Sequence, residues 1–340
     1  MRITQIICTL GPASDNKTIL KKMNDAGMNI ARMNMSHGTH ETHQAIIDKL
    51  DTLRSKGKVK LMIDTKGPEI RIGTFENGSV MLEVGSQFIF TTRNVKGDEN
   101  EVMLAYKDLV SQVKPNDKIY ANNGLLVFNV DHVNKTDIIT TVEFGGKLSN
   151  RKSLNVPNVV PNGPYLSEAD KKDLKFAIKN KADYVALSFV SKAQNVKDVR
   201  EFLDKNGGRN IKMIAKIENA SGVNNAEEIL DNCDGLMVAR GDLGVEIPLQ
   251  KIPPVQKKLI SLCNAKRKFV IVATEMLESM TSSTRPTRAE VNDVANAIYE
   301  EANATMLSGE TAAGIDPVNV VQTMAKIIDE IEQYVYNMKI

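Results

Sequence analysis

Short apolar runs alternate with longer amphipathic stretches from the first residues onward. Residues 3–9 read as a strand, and 17–26 follow with Ile19, Leu20, Met23 and Ala26 at helical spacing. Residues 29–35 form the next strand, 40–56 the next helix and 59–64 a third strand. This βαβαβ order marks a parallel sheet with crossover helices. The pattern breaks at Gly67-Pro68. From 69 to 161 the chain is rich in Val, Ile, Thr, Phe and Gly, with turn pairs at Asn77-Gly78, Gly97-Asp98, Asn123-Gly124 and Gly145-Gly146. With a wholly β-branched run at 138–142 and no long helix, the segment predicts a small all-β domain closed by a Pro/Asn-rich linker at 157–164.

The βα alternation then resumes. Residues 167–180 read as a helix capped by Ser167 with Asp170 three residues on. Strands at 184–189, 212–216, 235–239, 269–273 and 304–307 alternate with helices at 193–206, 222–230, 254–268, 288–301 and 317–334. Three strands precede the insert and five follow it, and eight is the number that closes a barrel. The expected fold class is therefore α/β: a (β/α)8 TIM barrel from 1–68 and 162–340, with an all-β lid domain, 69–161, inserted after strand three. A doubly wound open sheet is the competing arrangement.

Composition narrows the function. The 340 residues suffice for a barrel of about 250 residues plus an insert. A net charge of +2 with scattered lysines gives no footprint for nucleic acid or a membrane surface. Cys8, Cys233 and Cys263 form no CxxC pair, so a reducing compartment without disulfides or structural zinc is expected. The first residues lack the apolar core of a signal peptide, and no apolar run approaches the ~20 residues that span a bilayer. The expected location is the cytoplasm.

Barrels of this kind gather their chemistry at the C-terminal ends of the strands. Here those ends carry Arg32, Asn34 and Ser36; Asp64, Thr65 and Lys66; Ser188; Lys216 and Glu218; Arg240 and Asp242; Thr274 and Glu275; and Ser308, Glu310 and Thr311. Lys216 and Glu218 are two apart and face the same way in extended chain, as a catalytic pair or a plain ion pair. Glu218 and Asp242, from neighbouring strands, suit Mg²⁺ or Mn²⁺, or else a ring of ion pairs with Lys216 and Arg240. Gly241 and Gly244 would let backbone N–H groups approach an anion. Arg32, Arg71 and Lys216 offer the positive charge a phosphoryl group needs. Asn34, Ser36, Asp64 and Thr65 read first as turn formers and helix caps, with a monovalent cation site as the alternative. His37, His40, His43 and His132 read as capping or surface residues, and the methionines as core filler. No Walker-type phosphate loop is present.

These residues sit in runs that resemble the pyruvate kinase family: CTLGPAS at 8–14, GMNIARMNMSHGTH at 27–40, DTKGPEIR at 64–71, IAKIEN at 214–219, VARGDLGVEIP at 238–248, ATEMLESM at 273–280, RPTRAE at 285–290, DVANA at 293–297 and MLSGETA at 306–312. The resemblance implies phosphoryl transfer between phosphoenolpyruvate and ADP, giving pyruvate and ATP, with Mg²⁺ (or Mn²⁺) and K⁺. It implies that Arg32 holds the substrate phosphate and Lys216 stabilises the phosphoryl group in transit. Glu218 and Asp242 would bind the divalent ion, with pyruvate against Gly241 and Asp242. Thr274 would lie near the face where a proton is delivered, with Ser308 and Glu310 around it. Asn34, Ser36, Asp64 and Thr65 become the K⁺ site, reversing the cap reading. Arg71 and Lys152 would reach nucleotide phosphates from the insert, which becomes a mobile lid. Glu69 goes with K⁺ dependence in that family, while Ile72 stands where K⁺-dependent members more often carry Thr.

Other departures touch the lid and linkers: Asn122-Asn123-Gly124 for Asp-Asp-Gly, Asn155-Val156-Pro157-Asn158 for Asn-Leu-Pro-Gly, and Glu301-Ala302-Asn303 for Gly-Ala-Asp. Family members usually continue into a C-terminal domain that binds sugar phosphates and helps build a tetramer. The sequence to Ile340 reads as a short form, with no sugar-phosphate activation expected and any homo-oligomer limited to barrel–barrel contacts. Two alternatives stand beside this reading. One is a metal-dependent aldolase or lyase of the phosphoenolpyruvate/pyruvate barrel superfamily, disfavoured by the insert and the 64–71 run. The other is a binding paralogue that has lost turnover, disfavoured by intact Lys216, Glu218, Asp242 and Thr274.

Overall fold

The computed structural model describes residues 2–157 and 159–338; Met1, Asn158 in the expected linker, Lys339 and Ile340 lie outside the described residues. Eight parallel strands close into a barrel: β1 (Gln5–Thr9), β2 (Met28–Asn34), β3 (Lys60–Asp64), β4 (Tyr184–Leu187), β5 (Lys212–Ile217), β6 (Gly235–Ala239), β7 (Phe269–Ala273) and β8 (Ala304–Leu307). The last strand closes on the first, with Ile7 opposite Met306. The doubly wound alternative is thereby excluded.

Alternation of side chains explains the closure. Ile7, Ile30, Met62, Ile214, Met237 and Ile271 fill the barrel interior. Their chain neighbours, among them Ile6 and Cys8, Leu61 and Ile63, Met213 and Ala215, and Val270 and Val272, pack under the surrounding helices. Strands buried on both faces read as apolar runs, which is why they were visible in the sequence.

The helices are α1 (Lys17–Ala26), α2 (His40–Arg54), α3 (Glu168–Lys179), α4 (Ala193–Lys205), α5 (Ala220–Asn224), α6 (Ala226–Asp231), α7 (Arg240–Glu246), α8 (Ile252–Ala265), α9 (Arg288–Tyr299), α10 (Gly309–Ala312) and α11 (Pro317–Met338). Ser167 caps α3 by accepting from the Asp170 amide at 3.0 Å. Three differences from the sequence reading have local causes. The first strand begins at Gln5 because the Ile3 and Thr4 amides donate to the Glu332 carboxylate of α11, at 2.8 and 2.7 Å, instead of to a neighbouring strand. The helix expected over 222–230 is two pieces, because the Asn225 side chain turns aside to donate to the Ser191 carbonyl at 2.8 Å. The glycine-containing run 240–246, assigned to no element in the sequence reading, is α7: buried Leu243 and the Arg240 anchor override the helix cost of Gly241 and Gly244.

The insert is all β. Its strands, in spatial order Ile70–Arg71, Ser153–Asn155, Lys118–Ala121, Leu126–Val133, Asp137–Phe144, Gln87–Thr91 and Glu101–Met103, form one sheet, and Gly146–Ser149 pairs with Ser79–Leu82. The entering and leaving strands are neighbours, Ile70 opposite Leu154. Phe88, Phe90 and Phe128 meet at centroid distances of 5.0–5.8 Å in a core of the insert's own. In the 122–124 turn, Asn122 and Asn123 have φ of 50° and 55°, a left-handed region that Asn tolerates better than most residues. Phe128→Ala should therefore cost roughly 3–5 kcal/mol. Hydrogen exchange should show lost protection within 69–161 while barrel amides stay protected; equal loss in the barrel would contradict a separate insert core.

Candidate active site

The inward-facing series that fills the barrel continues to its C-terminal mouth, where its character changes. Two residues beyond Ile30 stands Arg32, beyond Met62 Asp64, beyond Ala186 Ser188, and beyond Ile214 Lys216, with Glu218 next. The register places Asn34 opposite Asp64 and Thr9 opposite Arg32. These polar side chains are therefore brought together by the same alternation that packs the core.

They form a buried ionic network. Arg32 Nε donates to Asp64 Oδ2 at 2.7 Å, and Arg32 Nη1 donates to Thr9 Oγ1 at 2.7 Å. Lys216 Nζ lies 3.2 Å from Asp64 Oδ1 and 2.9 Å from Glu218 Oε1, and donates to Ser188 Oγ at 2.7 Å. The Phe189 amide donates to Glu218 Oε2 at 2.6 Å. Lys216 is 8% exposed, Asp64 0% and Glu218 1%. Burial pushes the Asp64 carboxyl up, but Arg32 and Lys216 outweigh it and hold the group below the usual carboxylate range. Burial pulls the Lys216 ammonium down, yet Asp64 and Glu218 more than reverse it, so the lysine stays charged. Glu218 is pushed up to about 7, chiefly by burial, with Lys216 opposing and Asp242 adding to the rise.

Thr274 and Gly241 meet on the far side of the mouth. The Gly241 amide donates to Thr274 Oγ1 at 2.7 Å, and Arg240 donates to the Thr274 carbonyl at 2.6 Å and pairs with Asp293 at 2.7 Å. The Gly241 N–H, expected to face an anion, is thus engaged by protein. Thr274 has φ of 70° and Glu275 54°, costly for a β-branched residue and a sign of a conformation imposed by its surroundings. Ser308 donates its amide to Glu310 Oε2 at 2.6 Å, and the Leu277 amide donates to Glu310 Oε1 at 3.2 Å, so buried Glu310 ties the ends of β7 and β8.

The remaining residues are placed as follows. Asn34 Oδ1 accepts the Ser36 amide at 3.1 Å, the turn role. The Thr65 carbonyl accepts from Ser188 Oγ at 2.7 Å. Arg71 pairs with Glu69 and donates to the Arg151 carbonyl at 2.9 Å. Lys152 is exposed; it, Arg32 and Arg71 all act on His37, whose imidazole is held low by burial first and then by these three cations. Ile72 is buried in the insert core. His37 and His132 are exposed, but the surface reading needs correction for the other two: His43 is buried and bonded to the His37 carbonyl at 2.7 Å, and half-buried His40 pairs with buried Asp173 at 2.6 Å.

Among the described residues no group of three or more His, Cys, Asp or Glu forms a metal cage. Glu218 and Asp242 still fit Mg²⁺ or Mn²⁺, which take one or two carboxylates and complete their shell with water and phosphate oxygens. Among the described residues the Lys216 ammonium, 2.9 Å away, is the partner of Glu218 Oε1, so a divalent ion would share that oxygen with it. Asn34, Ser36, Asp64 and Thr65 offer oxygen donors only, which suits an alkali ion. The largest described cavity, about 960 Å³, opens at the other end of the barrel beside Lys212, Phe269 and Tyr336, away from these groups.

The chain is of the class of (β/α)8 barrel proteins interrupted by a β insert after strand three, here with two buried cations meeting carboxylates at the mouth. The chain belongs to the pyruvate kinase family: the family model described as "Pyruvate kinase, barrel domain" matches residues 1–321. It is similar to the pyruvate kinase of Bacillus licheniformis, 46% identical over 100% of this chain and 59% of that protein. It is similar also to those of Geobacillus stearothermophilus, at 46% over 98% and 57%, and Clostridium perfringens (strain 13 / Type A), at 44% over 98% and 71%. The chain thus spans between 57% and 71% of the length of these relatives.

Sequence reasoning missed Glu246, Tyr165 and the Phe189 turn. Glu246, at the end of α7, accepts from Asn155 of the insert at 3.2 Å. Burial pushes its carboxyl from 4.5 to about 7, with the Asn155 bond opposing and Asp242 adding to the rise. Between those values the folded protein holds a proton that the unfolded chain has released, so stability falls as pH rises, by roughly 3 kcal/mol in all. Glu246→Gln removes this loss. In urea titrations it should be more stable than wild type at pH 8 by about 2–3 kcal/mol and nearly equal at pH 5; parallel curves for the two proteins would contradict the assignment.

Proposed function

We propose that this chain transfers a phosphoryl group between phosphoenolpyruvate and ADP, giving pyruvate and ATP. In the forward direction the bond from phosphorus to the enol oxygen breaks, a terminal ADP oxygen bonds to phosphorus, and the released enolate takes a proton at carbon. The observation that carries the reading is the buried run Arg32–Asp64–Lys216–Glu218 at the barrel mouth. Arg32 holds the substrate phosphate; among the described residues its guanidinium is bonded only to Asp64 and Thr9, which leaves N–H groups for an anion. Lys216, kept charged by Asp64 and Glu218, stabilises the phosphoryl group as it moves.

Glu218 and Asp242 hold Mg²⁺ or Mn²⁺, which when bound neutralises charge on the transferring group. Asn34, Ser36, Asp64 and Thr65 hold K⁺. Pyruvate lies against Gly241 and Asp242; Thr274 and Ser308 line the face where the proton arrives. Arg71 and Lys152 bring positive charge from the insert to the nucleotide phosphates, and the insert acts as a lid that excludes water. No described helix is long and apolar enough to cross a membrane, and the three cysteines are free and buried, which supports work in the reducing cytoplasm.

With phosphoenolpyruvate, ADP and Mg²⁺, the protein should release pyruvate, faster in K⁺ than in Na⁺; no pyruvate in either salt would sink the reading. Lys216→Met should lower turnover at least ~10²-fold in protein that remains folded by circular dichroism. Glu218→Gln should weaken Mn²⁺ binding, measured by electron paramagnetic resonance, by about tenfold or more; unchanged affinity would remove Glu218 from the metal site.

A further inference from the structure

Tyr165 takes no part in the proposed chemistry, yet its hydroxyl reaches the centre of the site. It stands on the segment that leads from the insert to α3, is 7% exposed, and donates to the Ser188 carbonyl at 2.6 Å. That carbonyl lies just past the end of β4. The next residue, Phe189, has φ of 56°, disfavoured for a bulky side chain. In this conformation the Phe189 amide points at Glu218 Oε2, 2.6 Å away. Ser188 Oγ meanwhile accepts from Lys216 at 2.7 Å and donates to the Thr65 carbonyl at 2.7 Å. One strained turn therefore contacts both the ammonium and the carboxylate on which the proposed function depends.

A strained turn persists only where its surroundings over-determine it. Here the Tyr165 hydroxyl holds the Ser188 carbonyl from one side. On the other side the carbonyl is packed against Gly67, where a Cβ would stand 2.5 Å from the carbonyl oxygen. Burial first, then Asp170, Glu218 and Asp64, keep the phenol protonated and hence a donor.

We infer that Tyr165 is a positioning residue: through the Ser188–Phe189 turn it directs Lys216 towards the phosphoryl group and Glu218 towards the divalent ion. The inference rests on the roles proposed above for those two residues. Without the hydroxyl the buried Ser188 carbonyl has lost its side-chain donor and the turn relaxes. Lys216 is then misaimed, which lowers kcat, and the Phe189 amide withdraws from Glu218, which weakens the metal. Arg71 and Lys152 are untouched, so ADP binding is unaffected.

The test compares wild type, Tyr165→Phe, Ser188→Ala and the double variant, reading kcat at saturating metal, the KM for ADP, and Mn²⁺ dissociation by electron paramagnetic resonance. Y165F keeps the ring and its packing; it should lower kcat about tenfold and weaken Mn²⁺ about threefold, with the KM for ADP unchanged. S188A removes the hydroxyl that meets Lys216, the Thr65 carbonyl and Asp64 but leaves the Phe189 amide on Glu218, so kcat falls about tenfold while Mn²⁺ binding holds. In the S188A background, Y165F should lower kcat no further and still weaken Mn²⁺ about threefold. A folded Y165F with wild-type kcat and Mn²⁺ affinity overturns the inference, as does the same kcat factor in both backgrounds or an unchanged kcat in S188A. If wild type releases no pyruvate, the functional reading fails, while Mn²⁺ binding by wild type and Y165F still decides the positioning role.

Discussion

Two buried cations set against two buried carboxylates hold the mouth of this barrel together. Asp64 stands between Arg32 and Lys216, and Glu218 closes the run on the other side of the lysine. Charges removed from water are tolerated only when paired and hydrogen-bonded, and a pair broken on one side leaves an uncompensated charge costing about 3–5 kcal/mol. The network therefore fixes more than ligand contacts. It sets the protonation of three members: Asp64 held ionised, Lys216 held charged, and Glu218 pushed up to about 7 because burial outweighs its cation. It also fixes the relative height of β2, β3 and β5, since each contributes one member at its end.

That these groups meet at all follows from strand alternation. The residues that fill the interior, Ile30, Met62 and Ile214, are each followed two places on by Arg32, Asp64 and Lys216. The change from apolar to charged on one face of a strand is visible in the sequence, and so were the eight strands and most of the polar rim. The family runs supplied roles that spacing alone left open, as for Asn34, where the structure itself displays the turn to Ser36.

What stayed hidden depends on chain that meets only in three dimensions. No local signal marks Phe189 or Thr274 for a positive φ, because both residue types disfavour it and only contacts from distant segments impose it. α7 went unassigned in the sequence, where Gly241 and Gly244 suggested an anion-binding backbone, while Arg240, anchored on the Thr274 carbonyl and Asp293, argues for a helix from outside the segment. Glu246 looks like an ordinary surface acid at the end of a short run, and Tyr165 like a residue of a proline-rich linker. Both were invisible because their partners, Asn155 and the Ser188 carbonyl, lie 91 and 23 residues away in the chain.

The insert completes this logic, since it touches the barrel at the elements that carry the site. Its entering strand starts at Ile70, a few residues past Asp64, and pairs with the leaving strand, Ile70 opposite Leu154. The two crossings therefore run side by side as one hydrogen-bonded pair. Asn155 on the leaving strand bonds Glu246 of α7, and Gly124 of the insert lies against Val245 of the same helix. The Tyr106 hydroxyl of the insert accepts from the Asn162 amide, three residues before Tyr165. The insert thus touches α7, which carries Asp242 and whose Arg240 grips the Thr274 carbonyl, and the segment whose tyrosine holds the turn beneath Lys216 and Glu218. Closure of an insert over a barrel is usually credited with excluding water. Under the proposed lid role, the same contacts would connect closure to the aim of the charged groups, because both strained turns of the mouth are held by segments that the insert touches.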